Sequence, residues 1–190
     1  KESSAASDVY KRQIPLGVIK MKKTSKMVYI SLLVAQALVL SLFERMIPVP
    51  FITPGAKLGL SNLITVVALY TLDNKRDAFL VVLLKLTLST MFGGNLSSFM
   101  YSAAGGILSF LAMVLVKESF KDKVSIVGVS ATGAIFHNVG QLLIASSIVH
   151  NISVMLYLPV LSIIGIGTGI FIGVTANYLV RHLSRLPVFR

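Results

Sequence analysis

Six apolar blocks, at about residues 27–47, 57–72, 78–92, 96–116, 124–149 and 153–180, fill most of the chain, and the charged residues fall almost entirely between them. A block of about 20 apolar residues spans a hydrocarbon core as a helix, because only a helix bonds every backbone N–H and C=O within its own segment. Composition agrees: hydrophobic residues make up 55% and charged residues 13% of the chain, with a mean hydropathy of +0.83, against about 25% charged residues in soluble domains. The pattern predicts an all-α, polytopic membrane protein of six transmembrane helices in one domain, residues 21–190. Residues 1–20 have no apolar period and precede Met21-Lys22-Lys23, which has the form of a bacterial start; they are expected to be a disordered or foreign extension. Blocks two and three are shorter than a full span, so local thinning, burial in protein or shifted boundaries must accommodate them.

The basic residues give an independent test of the span count, since Lys and Arg accumulate on the cytoplasmic side of alternate connections. One side collects Lys20, Lys22, Lys23, Lys26, Lys75, Arg76, Lys117, Lys121, Lys123, Arg181, Arg185 and Arg190, and the other only Arg45 and Lys57. Both termini are therefore predicted to be cytoplasmic, in a bacterial cytoplasmic membrane. The net charge of +11 has the same origin, and no basic face interleaved with aromatics suggests a nucleic-acid partner. The connection Pro48-Val-Pro-Phe-Ile-Thr-Pro54-Gly55 cannot be regular helix. It is expected either to fold back over the bundle as an apolar cap or to form a stiff interfacial turn.

Polar residues inside apolar spans are costly unless they are paired or line a cavity. Lys85 lies near the middle of span three; it reads as a functional cation facing the interior, or as a lysine whose stem reaches an interface. His137 and Gln141, four apart, share one helical face, with Asn138 beside them. That stripe can bind a ligand or bond between helices. Asn95, Ser97 and Tyr101, around the turn after Gly93-Gly94, and Lys57 and Asn62, at the outer start of span two, could meet an anion near helix N-termini. The candidate substrate-binding set is thus Lys57, Asn62, Lys85, Asn95, Ser97, Tyr101, His137, Asn138 and Gln141. With Glu44 as the only carboxylate of the outer half, and expected to pair with Arg45, the set predicts an anionic small-molecule ligand.

Gly165, Gly169 and Gly173 recur every four residues in span six and predict close helix packing. Ser31 with Ala35, and Ala37 with Ser41, form two small-residue pairs in span one that can dock a helix of this chain or of another subunit. Chemistry is constrained as much by what is missing. The sequence has no cysteine and no Gly-x-x-x-x-Gly-Lys phosphate loop, and the carboxylates Asp73, Asp77, Glu118 and Asp122 all fall in predicted cytoplasmic connections. Neither catalysis nor ATP hydrolysis is predicted, and no metal site or cofactor.

Pro54-Gly55-Ala56-Lys57-Leu58-Gly59-Leu60-Ser61-Asn62, Phe92-Gly93-Gly94, Tyr101-Ser102-Ala103-Ala104-Gly105-Gly106, His137-Asn138-Val139-Gly140-Gln141 and Tyr157-Leu158-Pro159 resemble, in order, motifs of the bacterial Gx transporter family. That family is also labelled heptaprenyl diphosphate synthase component I, and the resemblance covers about residues 21–185. It is similar, more distantly, to the substrate-binding S components of energy-coupling-factor transporters. The resemblance implies an S-component-like bundle that captures a vitamin-like, flavin-like or prenyl ligand from outside. It further implies a transmembrane coupling protein and two ATPase subunits as partners, docked at Ser31, Ala35, Ala37 and Ser41. The synthase label implies the alternative, a noncatalytic membrane subunit of a prenyl diphosphate synthase.

Overall fold

The computed structural model describes residues 23–46, 59–92 and 95–185. These form six α-helices and no strand: α1 (Lys23–Met46), α2 (Asn62–Thr71), α3 (Lys75–Met91), α4 (Leu96–Phe120), α5 (Ile126–Val149) and α6 (Leu158–Leu183). Short 3₁₀ turns, Lys121–Lys123 and Ile152–Tyr157, precede α5 and α6. Residues 1–20, the proline-rich connection 48–55, Lys57 and Gly93-Gly94 lie outside the described residues.

Four helical segments are long and apolar enough to cross a membrane: Lys23–Glu44, Leu96–Phe120, Ile126–Val149 and Ile152–Leu183. The other two expected spans are shorter. The ten residues of α2 rise only about 15 Å, half of a hydrocarbon core. Eight of them, Asn62, Ile64 to Leu69 and Thr71, are buried, so protein surrounds this helix on all sides, as its near-continuous apolar sequence requires. The 17-residue α3 buries Ala78, Val81, Val82, Lys85, Leu86 and Ser89, a 3–4 spacing that defines one inward stripe. By contrast, α6 exposes Ile163, Phe171, Val174 and Tyr178, an apolar outer face suited to lipid.

The glycine stripe of α6 packs as the sequence predicts. A Cβ at Gly169 would lie 2.6 Å from Ala131 Cα, and one at Gly173 would lie 2.6 Å from Val127 Cα, so α5 and α6 touch backbone to backbone. Gly167, two residues before Gly169, has nothing within 4 Å of its Cβ position. Gly169→Ala is therefore expected to destabilise by about 1–3 kcal/mol through overpacking. Gly167→Ala should be neutral or stabilise by up to about 1 kcal/mol through helix propensity. Thermal unfolding of the two variants in detergent, side by side, checks the pair.

Charged residues gather at one end of the bundle. Lys26 at the start of α1 bridges Asp77 at 3.0 Å and Asp73 at 3.4 Å, while Lys75 pairs with Glu118. Lys117 Nζ donates to the Leu69 carbonyl at 2.7 Å and sits 4.1 Å from the Tyr70 ring centroid. This lysine satisfies one of the carbonyls that α2 leaves open at its C-terminus, where the helix dipole also favours a cation. The start of α1, the α2–α3 turn and the end of α4 therefore share one end, as the alternation of charges predicts. The exposed pairs contribute little each; their value here is to fix which ends lie together.

Candidate functional site

In the opposite half of the bundle, polar residues from five segments converge. Lys85 sits ten residues into α3, about 15 Å along the helix from the charged end, and is 4% exposed. Its ammonium donates to Ser61 Oγ at 3.2 Å and Asn62 Oδ1 at 3.4 Å. Both acceptors are neutral, and both bonds are at or beyond the long edge of ordinary N–H···O geometry. A cavity of about 20 Å³ opens beside it, lined by Ser41, Glu44, Gly59, Ser61, Lys85, Leu86, Ser89, Ser102 and His137.

Glu44, at the far end of α1 from Lys26, is 2% exposed. Its Oε1 accepts the Gly59 N–H and, at 3.2 Å, the Leu60 N–H. The carboxylate thereby ties α1 to the chain entering α2, where the positive end of that helix favours an anion. Gly59 makes this possible: its φ of +85° suits glycine, and a Cβ there would lie 3.2 Å from His137 Cδ2. Below, Ser41 Oγ and Ser89 Oγ are 2.8 Å apart in a buried bond between α1 and α3.

His137 enters from α5. Gln141 Nε2 and His137 Nε2 lie 3.0 Å apart in a buried hydrogen bond along one face of α5. The ring reaches the cavity because α4 presents glycine: a Cβ at Gly105 would lie 2.8 Å from His137 Nδ1 and 2.9 Å from its carbonyl oxygen. One turn on, Gly140 lies against the Ala104 carbonyl, 2.6 Å from its own Cβ position. The two motifs around Gly105 and Gly140 are thus one seam, closely packed so that a histidine stands beside a buried lysine and a buried carboxylate.

The candidates named from sequence separate accordingly. Lys85, His137, Gln141 and Asn62 come together at or against the cavity. Tyr101 is buried on α4, next to the cavity-lining Ser102. Asn138 turns to α6, donating from Nδ2 to the Leu161 carbonyl at 2.7 Å, a bond between helices. Asn95 and Ser97 are exposed at the start of α4, where Asn95 Oδ1 caps the helix by accepting from Ser98 N–H at 2.7 Å. On α1, Ser31 and Ala35 are exposed, and Ser31 bonds to the Met27 carbonyl at 3.0 Å. Ala37 and Ser41 instead face inward.

A family model described as heptaprenyl diphosphate synthase component I matches residues 33–179. The chain belongs to that family. No curated protein and no solved structure matches it. The matched stretch runs from α1 to near the end of α6 and contains every cavity-lining residue. In this component I chain three titratable residues, Glu44, Lys85 and His137, are buried around one cavity.

Proposed function

We propose that this component I chain is the membrane-embedded substrate-binding subunit of an energy-coupling-factor-type importer. It takes a small ligand with an anionic group from outside and holds that group at Lys85. The observation that carries this reading is the convergence of Lys85, Glu44, Ser61 and His137 on one buried cavity in the half away from the charged end. A carboxylate or phosphate oxygen offered to this buried ammonium would make a shorter, charge-assisted bond than those at 3.2 and 3.4 Å to Ser61 and Asn62. At about 20 Å³ the cavity matches one water rather than the roughly 300–1,000 Å³ of small-molecule sites. Entry of a vitamin-like, flavin-like or prenyl ligand therefore requires the surrounding elements to part, as alternating exposure in a transporter does.

In this reading six segments cross the bacterial cytoplasmic membrane with both termini cytoplasmic. The exposed small residues Ser31 and Ala35, among the exposed apolar Met27, Val28 and Leu32, form the docking face for a transmembrane coupling protein with two ATPases. The family description supports a second reading, a noncatalytic membrane subunit of a prenyl diphosphate synthase. Gentle purification from the native membrane separates them. Transport predicts recovery with a coupling protein and ATPases; recovery of a soluble prenyltransferase whose activity requires this chain would replace it with the second reading.

A further inference from the structure

Serine and threonine hydroxyls inside these helices commonly bond to the carbonyl one turn back: Thr71 to Val67 at 2.8 Å, Thr90 to Leu86 at 2.9 Å and Thr132 to Gly128 at 3.0 Å. Such a bond is always within reach of a helical hydroxyl and satisfies it locally. Ser102 does not make one. Its hydroxyl oxygen is buried and has no hydrogen-bond partner among the described residues, and Ser102 lines the cavity with Lys85, Glu44 and His137. A buried hydroxyl left without a partner is costly, and the space beside this one, which Ser61, Lys85 and His137 also line, is large enough for a single water.

We propose that Ser102 is a ligand-contacting residue, whose hydroxyl donates to the same anionic group that Lys85 meets and holds one water there when the site is empty. The inference rests on the reading of the cavity as a binding site for an anion and adds a residue to it. Ser109, two turns along on the same face of α4, is the natural comparison. It is also buried without a partner among the described residues, yet it lies under Gly133, whose Cβ position is 3.1 Å from Ser109 Oγ, and does not line the cavity.

The chain contains no cysteine, so Ser102→Cys, Ser109→Cys and Leu96→Cys, the last on the exposed start of α4, each carry a single thiol. The probes are 2-sulfonatoethyl and 2-trimethylammonioethyl methanethiosulfonate, an anion and a cation of similar size. In each reaction the thiolate attacks the probe's sulfenyl sulfur, forms a mixed disulfide and releases methanesulfinate. With rates normalised to Leu96→Cys, the anionic probe should label Ser102→Cys at least about tenfold faster than the cationic one. Adding Lys85→Gln should abolish that preference, and Ser109→Cys should stay unlabelled. Ser102→Ala, which needs no thiol to fit, should lower the amount of small molecule retained on purification, whereas Ser109→Ala should not. Labelling of Ser102→Cys no faster than Ser109→Cys, or a probe preference indifferent to Lys85→Gln, overturns the role of Ser102. If in addition Lys85→Ala leaves the retained small molecules unchanged, the binding function itself falls.

Discussion

Glu44→Ala is expected to destabilise the detergent-solubilised protein by about 3–5 kcal/mol, the range seen when one member of a buried charged set is removed. Two losses add. The N–H groups of Gly59 and Leu60 lose the carboxylate oxygen that accepts them, so the start of α2 loses its tie to α1. The cavity that Lys85 also lines would lose a negative charge from a low-dielectric interior as well. Glu44→Gln keeps an acceptor oxygen of the same shape and should cost less, because neutral bonds are about half as strong as charge-assisted ones. Thermal unfolding of both variants measures the difference. A Glu44→Ala midpoint equal to that of the wild type would show that the carboxylate does not hold the two elements together.

Gly140→Ala should be nearly as damaging, and for a different reason. The added methyl group would sit 2.6 Å from the Ala104 carbonyl oxygen and 2.8 Å from Gly105 Cα. These are backbone atoms that no rotamer change can move. The helices must separate, at a cost of about 1–3 kcal/mol or more, and His137 is carried away from Lys85 as they do. Loss of stability should therefore come with loss of ligand retention, whereas Gly169→Ala, on the far side of α5, should lower stability with a smaller effect on retention. Measuring unfolding and retained small molecule on both variants tests this, and a Gly140→Ala protein that keeps both properties would contradict the seam as described.

How much of this was legible beforehand depended on whether a residue's meaning lay in its own helix. The i, i+4 spacing of His137 and Gln141 and the depth of Lys85 within an apolar block are properties of single helices, and all three meet in the structure. The Gly165, Gly169 and Gly173 repeat likewise reads directly as a packing face. The pairing of Glu44 with Arg45 expected from their adjacency lies outside the described side chains, whereas the bonds of Glu44 to the Gly59 and Leu60 N–H groups come from a segment 15 residues away and carry no local signal. Ala37, Ser41 and Glu44 follow the i, i+4, i+7 spacing of one buried stripe, the signal that could have placed the carboxylate inward beside Lys85. The shortness of α2 was visible, but its cause, complete enclosure by protein, depends on where five other helices pass. Asn95 and Asn138 show the opposite limit: a polar side chain near a helix start or within a span satisfies a cap or a neighbouring carbonyl as readily as it meets a ligand. Ser102 had no periodic signature of its own, and only the cavity singles it out.

The central claim is that the buried polar cluster exists to hold a small molecule by its anionic group. Mass spectrometry of small molecules released from gently purified protein tests it directly, comparing wild type with Lys85→Ala at matched, monodisperse quality. The account predicts a stoichiometric anionic compound released from the wild type and reduced at least about tenfold in Lys85→Ala, the loss of about 1.4 kcal/mol or more of binding free energy. The same compound retained equally by both proteins, or no retained compound in the wild type, would contradict it.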